Sequence, residues 1–210
     1  MLGSPRHLRG RTMQFKPFEP GIEVVGQTVY AIVDGFGAFS LMAGRFLLAE
    51  GIGQDDGSGG ATIVPDLWYS QTAWLRAFEK ISTEVGDSAL LLIGLKIPTN
   101  ARFPPWVIDI DSAVRSVDVA FHLNHRKHGQ VMFDPDTGNM LEGIGHYGYE
   151  RSPGRNLITS VCNNPYPCSF DRGILTTMAR RFVSGATVVH DDGQPCRKRG
   201  EESCTYRVSW

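Results

Sequence analysis

The cysteines constrain this chain more than any other feature. Cys168 stands immediately before a predicted helix, and Cys196 and Cys204 flank a seven-residue turn, Arg-Lys-Arg-Gly-Glu-Glu-Ser, between two predicted strands. Backbone N–H groups and the positive end of the helix dipole favour a thiolate at Cys168, the form that ligates metal. A hairpin turn brings Cys196 and Cys204 back within reach of one ion. A closed structural site requires a fourth donor, and Asp192, Asp191 and His190, just upstream of Cys196, are the nearest candidates. Spacing alone leaves two readings open, a metal knot or three separate buried thiols, because free cysteine is among the most buried residue types. Cys162, inside a predicted strand, is expected as a core thiol.

The hydrophobic pattern supplies the elements. Residues 1–12 are basic without an apolar core and are expected to be a disordered leader, with one domain over 13–210. Gly21–Val29 reads as extended. Phe39, Met42, Phe46 and Leu47 recur at helical spacing and predict a helix over 36–50, followed by a glycine-rich loop at 53–61. Gln71, Trp74, Leu75, Phe78, Ile81 and Val85 form a stripe over 68–85, and residues 89–95 are apolar on every side, which predicts a helix buried all round. Ile110, Val114, Val117 and Phe121 mark a helix over 109–127. After Gly129 the period changes to two, predicting a hairpin over 131–149 and a strand at 157–161. A helix over Ser169–Phe182 follows, then strands at 186–190 and 203–210. Helices first and β-β-β-α-β-β afterwards give an α/β (α+β) fold, with N-terminal helices on a mainly antiparallel sheet of roughly five strands.

Composition narrows the function classes. The net charge of −1 provides no large basic block, which argues against nucleic acid or an anionic membrane as partner. Arg6, Arg9 and Arg11, and the cluster Arg197-Lys198-Arg199, read as solvated surface. No apolar run reaches the ~20 residues of a membrane span. The expected location is a reducing cytoplasm, where cysteines serve as thiols or metal ligands. The sequence has no Gly-x-Ser-x-Gly elbow and no Walker loop, and its Gly-x-Gly-x-x-Gly spacing at Gly143–Gly148 falls inside the expected hairpin rather than between a strand and a helix, so catalysis is not expected.

Asn164-Pro-Tyr-Pro-Cys168, Phe170-Asp-Arg-Gly173, His190-Asp-Asp192, Cys196, Gly200 and Cys204-Thr-Tyr-Arg-Val208 together resemble the C-terminal half of a 4-vinyl reductase (4VR) domain, over about 157–210. Related domains are sensory modules of phenol- and xylene-responsive activators, in a fold group that includes TRAPP tethering subunits and heme-based nitric-oxide sensors. In them zinc is held by three Cys and one Glu. The resemblance implies structural zinc on Cys168, Cys196 and Cys204. The acidic position falls on Gly193, which leaves Asp192 as the fourth ligand.

His122, His125 and His128 lie three apart near a helix end, with Asp118 one turn before His122. They read as cations suited to the helix dipole or as part of a metal site. By resemblance, His122 and the His146–Tyr147 pair stand where the phenol sensors pin a small polar ligand in an apolar pocket. Trp74, Trp106 and Phe121 are candidate walls of such a pocket, with Phe78 and Phe133 beside them. The expectation is a small-molecule-sensing or protein-interaction domain of bacterial signalling, taking a small apolar or aromatic ligand and acting through a homodimer or a partner. Two alternatives stay open: an enzyme or assembly factor in tetrapyrrole chemistry, and a ligand-free scaffold.

Overall fold

The computed structural model describes residues 12–35, 40–101 and 103–210. The expected leader, up to residue 11, lies outside them. The chain opens with β1 (Ile22–Val25), α1 (Gly26–Gly35) and α2 (Ser40–Ala49), then the small hairpin β2 (Gln54–Asp55) and β3 (Ala61–Thr62). β4 (Trp68–Ser70), α3 (Gln71–Glu84), α4 (Asp87–Lys96) and a short 3-10 turn over Ile97–Asn100 lead to α5 (Ile110–Leu123). The second half comprises β5 (His125–Lys127), β6 (Gln130–Val131), β7 (Glu150–Arg151), β8 (Leu157–Cys162), α6 (Cys168–Arg180), β9 (Thr187–His190) and β10 (Cys204–Ser209). The fold is mixed α+β. Its strands form two antiparallel four-stranded sheets, ordered β4-β1-β5-β6 and β7-β8-β10-β9. One continuous cluster of buried side chains runs through both halves.

Local chemistry sets the boundaries. The expected strand at 21–29 stops at Val25. Gly26 lies so close to the carbonyls of Val64 and Pro65 that a side chain would collide with them, and its N–H donates to the Leu67 carbonyl at 2.6 Å. The predicted 109–127 helix ends at Leu123, because His125–Lys127 pair with β1 instead (Val24 opposite His125). His128 (φ 50°) and Gly129 (φ 85°) then turn the chain into β6, the left-handed pair that a tight hairpin needs. α5 begins in a reciprocal capping box: the Ser112 N–H donates to the Asp109 carboxylate at 2.7 Å, and the Ser112 hydroxyl accepts from the Asp109 N–H at 3.0 Å. On α3 the predicted stripe is the buried face, with Trp74, Leu75, Phe78 and Ile81 fully enclosed.

α4 departs from its expectation, since Leu92 is 59% exposed. A helix that is apolar all round need not be enclosed all round; α4 spends one face on α6 and leaves Leu92 outside. That shared face is unusually close. A Cβ at Gly94 would strike the backbone carbonyl of Phe170, and one at Gly173 would come within 2.5 Å of the Leu91 carbonyl oxygen. Backbone cannot yield as a side chain end does, so Gly94→Ala is expected to destabilise by about 1–3 kcal/mol. For a chain of this size that lowers Tm by roughly 2–10 °C. Gly185→Ala, where nothing lies within 4 Å, should leave Tm unchanged in the same thermal melts.

Candidate functional site

Between α3, α5, α6 and the 97–103 segment lies a cavity of about 100 Å³. Its walls are almost wholly apolar: Trp74, Val117, Phe121, Phe170, Ile174 and Met178. The aromatic rings pack edge to face around it, Trp74 on Phe78 at 4.9 Å and Phe121 on Tyr147 at 5.3 Å between centroids. An adjoining open cleft shares Thr28, Ile97, Ala101 and Phe103 with the cavity and includes Trp106. Of the side chains expected to surround a ligand, Trp74, Phe121 and Tyr147 therefore line the cavity and Trp106 lines the cleft. Phe78 packs behind Trp74. His122 and His146 are not among the lining residues of either space.

The polar end of the cavity is built from His125 and Tyr166, neither of which was expected beside a ligand, and from the indole of Trp74, which was. His125 is buried, and its Nδ1 lies 2.7 Å from the Phe121 carbonyl, which can only accept. The proton is therefore on Nδ1, and Nε2 accepts the Tyr166 hydroxyl at 2.7 Å. Burial lowers the His125 pKa to about 4, so the ring is neutral at pH 7. Burial raises the Tyr166 pKa. Both amide atoms of Gln71 and the indole Nε1 of Trp74 are buried without a hydrogen-bond partner among the described residues, and of the two only Trp74 lines the cavity.

Tyr147 closes another side. Its hydroxyl donates to Asp171 at 2.6 Å, and Asp171 forms an ion pair with Arg197 in which both side chains are fully inaccessible. Arg197 also donates to the backbone and side-chain oxygens of Asn164. Burial lifts the Asp171 carboxyl to about 6, with Arg197 and Tyr147 pulling against that rise. Arg197 thus corrects the sequence reading of a solvated basic cluster: only its neighbours Lys198 and Arg199 face solvent.

Arg197 leads directly to the cysteines. The Sγ of Cys168 lies 3.6 Å from that of Cys196 and 3.1 Å from that of Cys204, and the Cys196 and Cys204 sulfurs are 3.9 Å apart. The fourth donor beside them is His190, not Asp192; the four residues each offer a ligand atom within 4.8 Å of the others. Asp192 is 88% exposed and instead holds His190 Nδ1 at 2.7 Å, leaving the buried His190 Nε2 without a hydrogen bond. Three sulfurs and an imidazole could hold one soft metal ion. The sulfurs also have protein partners: Gln14 Nε2 donates to Cys168 at 2.7 Å, and the Arg197 N–H to Cys204 at 3.4 Å. Cys162 is buried in β8, as a core thiol.

His122 and His146 meet elsewhere, around Asp118. His146 Nδ1 is 3.0 Å from one Asp118 carboxylate oxygen, and the Tyr147 N–H donates to the other at 2.9 Å. His122 Nδ1 donates to the Asp118 carbonyl at 2.8 Å. Gly145 (φ 77°) packs against the Asn163 carbonyl, and the Asn163 side chain accepts the His146 N–H at 2.8 Å, which fixes this loop.

No family model matches the chain, and no curated protein matches it. The fold itself has solved counterparts. An H-NOX protein from S. oneidensis in the Fe(II) ligation state is 15% identical, with a TM-score of 0.58 over 88% of this chain and 95% of that one. An unliganded Fe(II) H-NOX protein from K. algicida is 13% identical at a TM-score of 0.56, over 88% of this chain and 95% of that one. A structure from a study of heme distortion in the H-NOX family reaches 0.59 at 14% identity, over 88% and 94% of the two chains. At such identities the likeness is one of fold. It corrects the expected cofactor: solved structures of this fold are described by heme and Fe(II), not by structural zinc. Convergent thiols show that the last hairpin closes on α6; their sulfurs hydrogen-bond to one another, to Gln14 and to the Arg197 N–H.

Two tests follow from this geometry. Arg197→Met leaves the Asp171 carboxylate buried and unpaired, and is expected to lose about 3–5 kcal/mol in urea unfolding; adding Asp171→Asn should restore much of it. His125 has a folded pKa of about 4 against 6.5 for the free side chain. The unfolded chain therefore takes up the proton first as pH falls. Stability should be full above pH 6.5 and decline by roughly 3 kcal/mol toward pH 4, a slope that His125→Gln flattens.

Proposed function

We propose that this chain is a small-molecule-sensing domain that encloses a small, uncharged aromatic compound bearing one hydroxyl or similar group. The observation that supports this reading is the apolar cavity with a polar corner at Trp74, His125 and Tyr166. Its volume is of the order of the ~150 Å³ cavity that takes up benzene. Apolar walls supply most of the affinity and a few polar groups fix orientation. The Trp74 N–H has no hydrogen-bond partner among the described residues, and the Tyr166 oxygen, which donates its hydrogen to His125, retains lone pairs that accept. Together they complement a hydroxyl group.

Heme, which describes the H-NOX structures, does not fit these residues. A porphyrin is several times larger than the cavity of about 100 Å³. The imidazole that lines it, His125, has its Nε2 lone pair engaged by Tyr166. Nothing in the proposal therefore runs through iron.

The wider reading is that residues 13–210 act as one 4VR-like sensory domain in the cytoplasm, passing occupancy on through a second copy or a partner. The resemblance of residues 157–210 and the continuous core support it. No described helix is long and apolar enough to cross a membrane.

Calorimetric titration tests the ligand. Phenol and benzene should both bind, and Ala120→Phe, which fills the cavity, should abolish both. Trp74→Phe removes one hydrogen-bond donor and should weaken phenol roughly 3–10-fold while sparing benzene. Failure of every small aromatic to bind the unaltered protein would sink the proposal.

A further inference from the structure

We infer that Asp118, His122 and His146 form a binding site for a first-row divalent transition-metal ion, separate from the cysteine cluster and independent of the sensing proposal. A donor atom from each of the three lies within 4.8 Å of the others. Two imidazoles and one carboxylate are the donor set that leaves open positions on such ions.

One pair of donors already stands at the spacing of a bound state, and the His122 ring lies beside it, its Nδ1 3.6 Å from the Asp118 carboxylate. Two donors about 2.1 Å from an ion and at right angles to each other stand roughly 3 Å apart. His146 Nδ1 and the Asp118 oxygen are separated by 3.0 Å. The Asp118 carbonyl can only accept, so the His122 proton is on Nδ1 and the lone pair on Nε2. Ligating histidines are held in this way, their second nitrogen donating to a carbonyl or carboxylate. His122 Nε2 is fully buried and has no hydrogen-bond partner among the described residues.

The supports are rigid. Asp118 and His122 are one turn apart on α5, and the Tyr147 N–H anchors the second Asp118 oxygen. His146 is fixed at both backbone groups: its N–H donates to the Asn163 side chain, and its carbonyl accepts the Asn163 N–H at 3.2 Å. Glu142, 80% exposed and 3.2 Å from His146 Nε2, stands at the mouth and adds negative charge. His146 is itself partly open, giving an ion a way in.

Cobalt(II) distinguishes this site from the thiols, because sulfur ligation gives intense near-ultraviolet charge-transfer bands and nitrogen–oxygen ligation does not. Chelator-stripped full-length protein titrated with cobalt(II) should take up an ion without those bands. His146→Ala, at a partly exposed position, should weaken that uptake by at least about tenfold with an unchanged thermal melt. Asp118→Asn should do the same. The inference is overturned if cobalt(II) binds only with sulfur bands, if none binds, or if His146→Ala binds as tightly as the unaltered chain. In the last two cases His146 is simply an ion-pairing bridge between Asp118 and Glu142.

Discussion

The interaction on which the rest depends is the solvent-free pair of Arg197 and Asp171. A guanidinium and a carboxylate in a low-dielectric interior depend on hydrogen bonds from their neighbours, and here Asn164 and Tyr147 supply them, with the Arg197 Nε alone left without a partner among the described residues. Three parts of the chain distant in sequence are thereby tied at one point: the turn at Arg197, the start of α6 with the loop leading into it, and the stretch at Tyr147. Cys196 is the residue before Arg197, and Cys204 accepts the Arg197 N–H. The convergence of the sulfurs is thus inherited from the ion pair, and so is the placement of Tyr147 in the cavity wall.

The same network explains what could be seen in the sequence and what could not. α3 and α5 announced their buried faces through spacing, and the strand, helix and two strands from residue 157 onward were readable from the change of period. The hairpin expected over 131–149 was not: it shrinks to one bridge, Phe133 opposite Met140, while β6 pairs with β5 and β7 with β8. The closure of the last hairpin onto α6 was legible because cysteines carry few meanings at such positions. Arg197 was not legible. In sequence it is one of three consecutive basic residues, and only the fold separates it from Lys198 and Arg199 by enclosing its head beside a carboxylate 26 positions earlier. Asp192 looked like a ligand by proximity along the chain, but in space it turns outward and His190 turns in. The pairing of β9 with β10 decides that, since it sets Tyr206 opposite His190.

The histidines illustrate the same limit. Three at a spacing of three suggested one group with one role. The end of α5 at Leu123 splits them instead: His122 stays on the helix beside Asp118, His125 enters the core through β5, and His128 occupies a left-handed turn. A helix boundary misplaced by a few residues changes which side chains share a face, and with it the chemistry assigned to them. Solved structures at 13–15% identity share the architecture.

Ile97 and Phe103 border both the cavity and the cleft beside it, and neither space is sealed. The two meet at side chains that lie outside either sheet. Side chains there reorient far faster than paired strands open, so this part of the interior can exchange with its surroundings while the hydrogen-bonded frame stays closed.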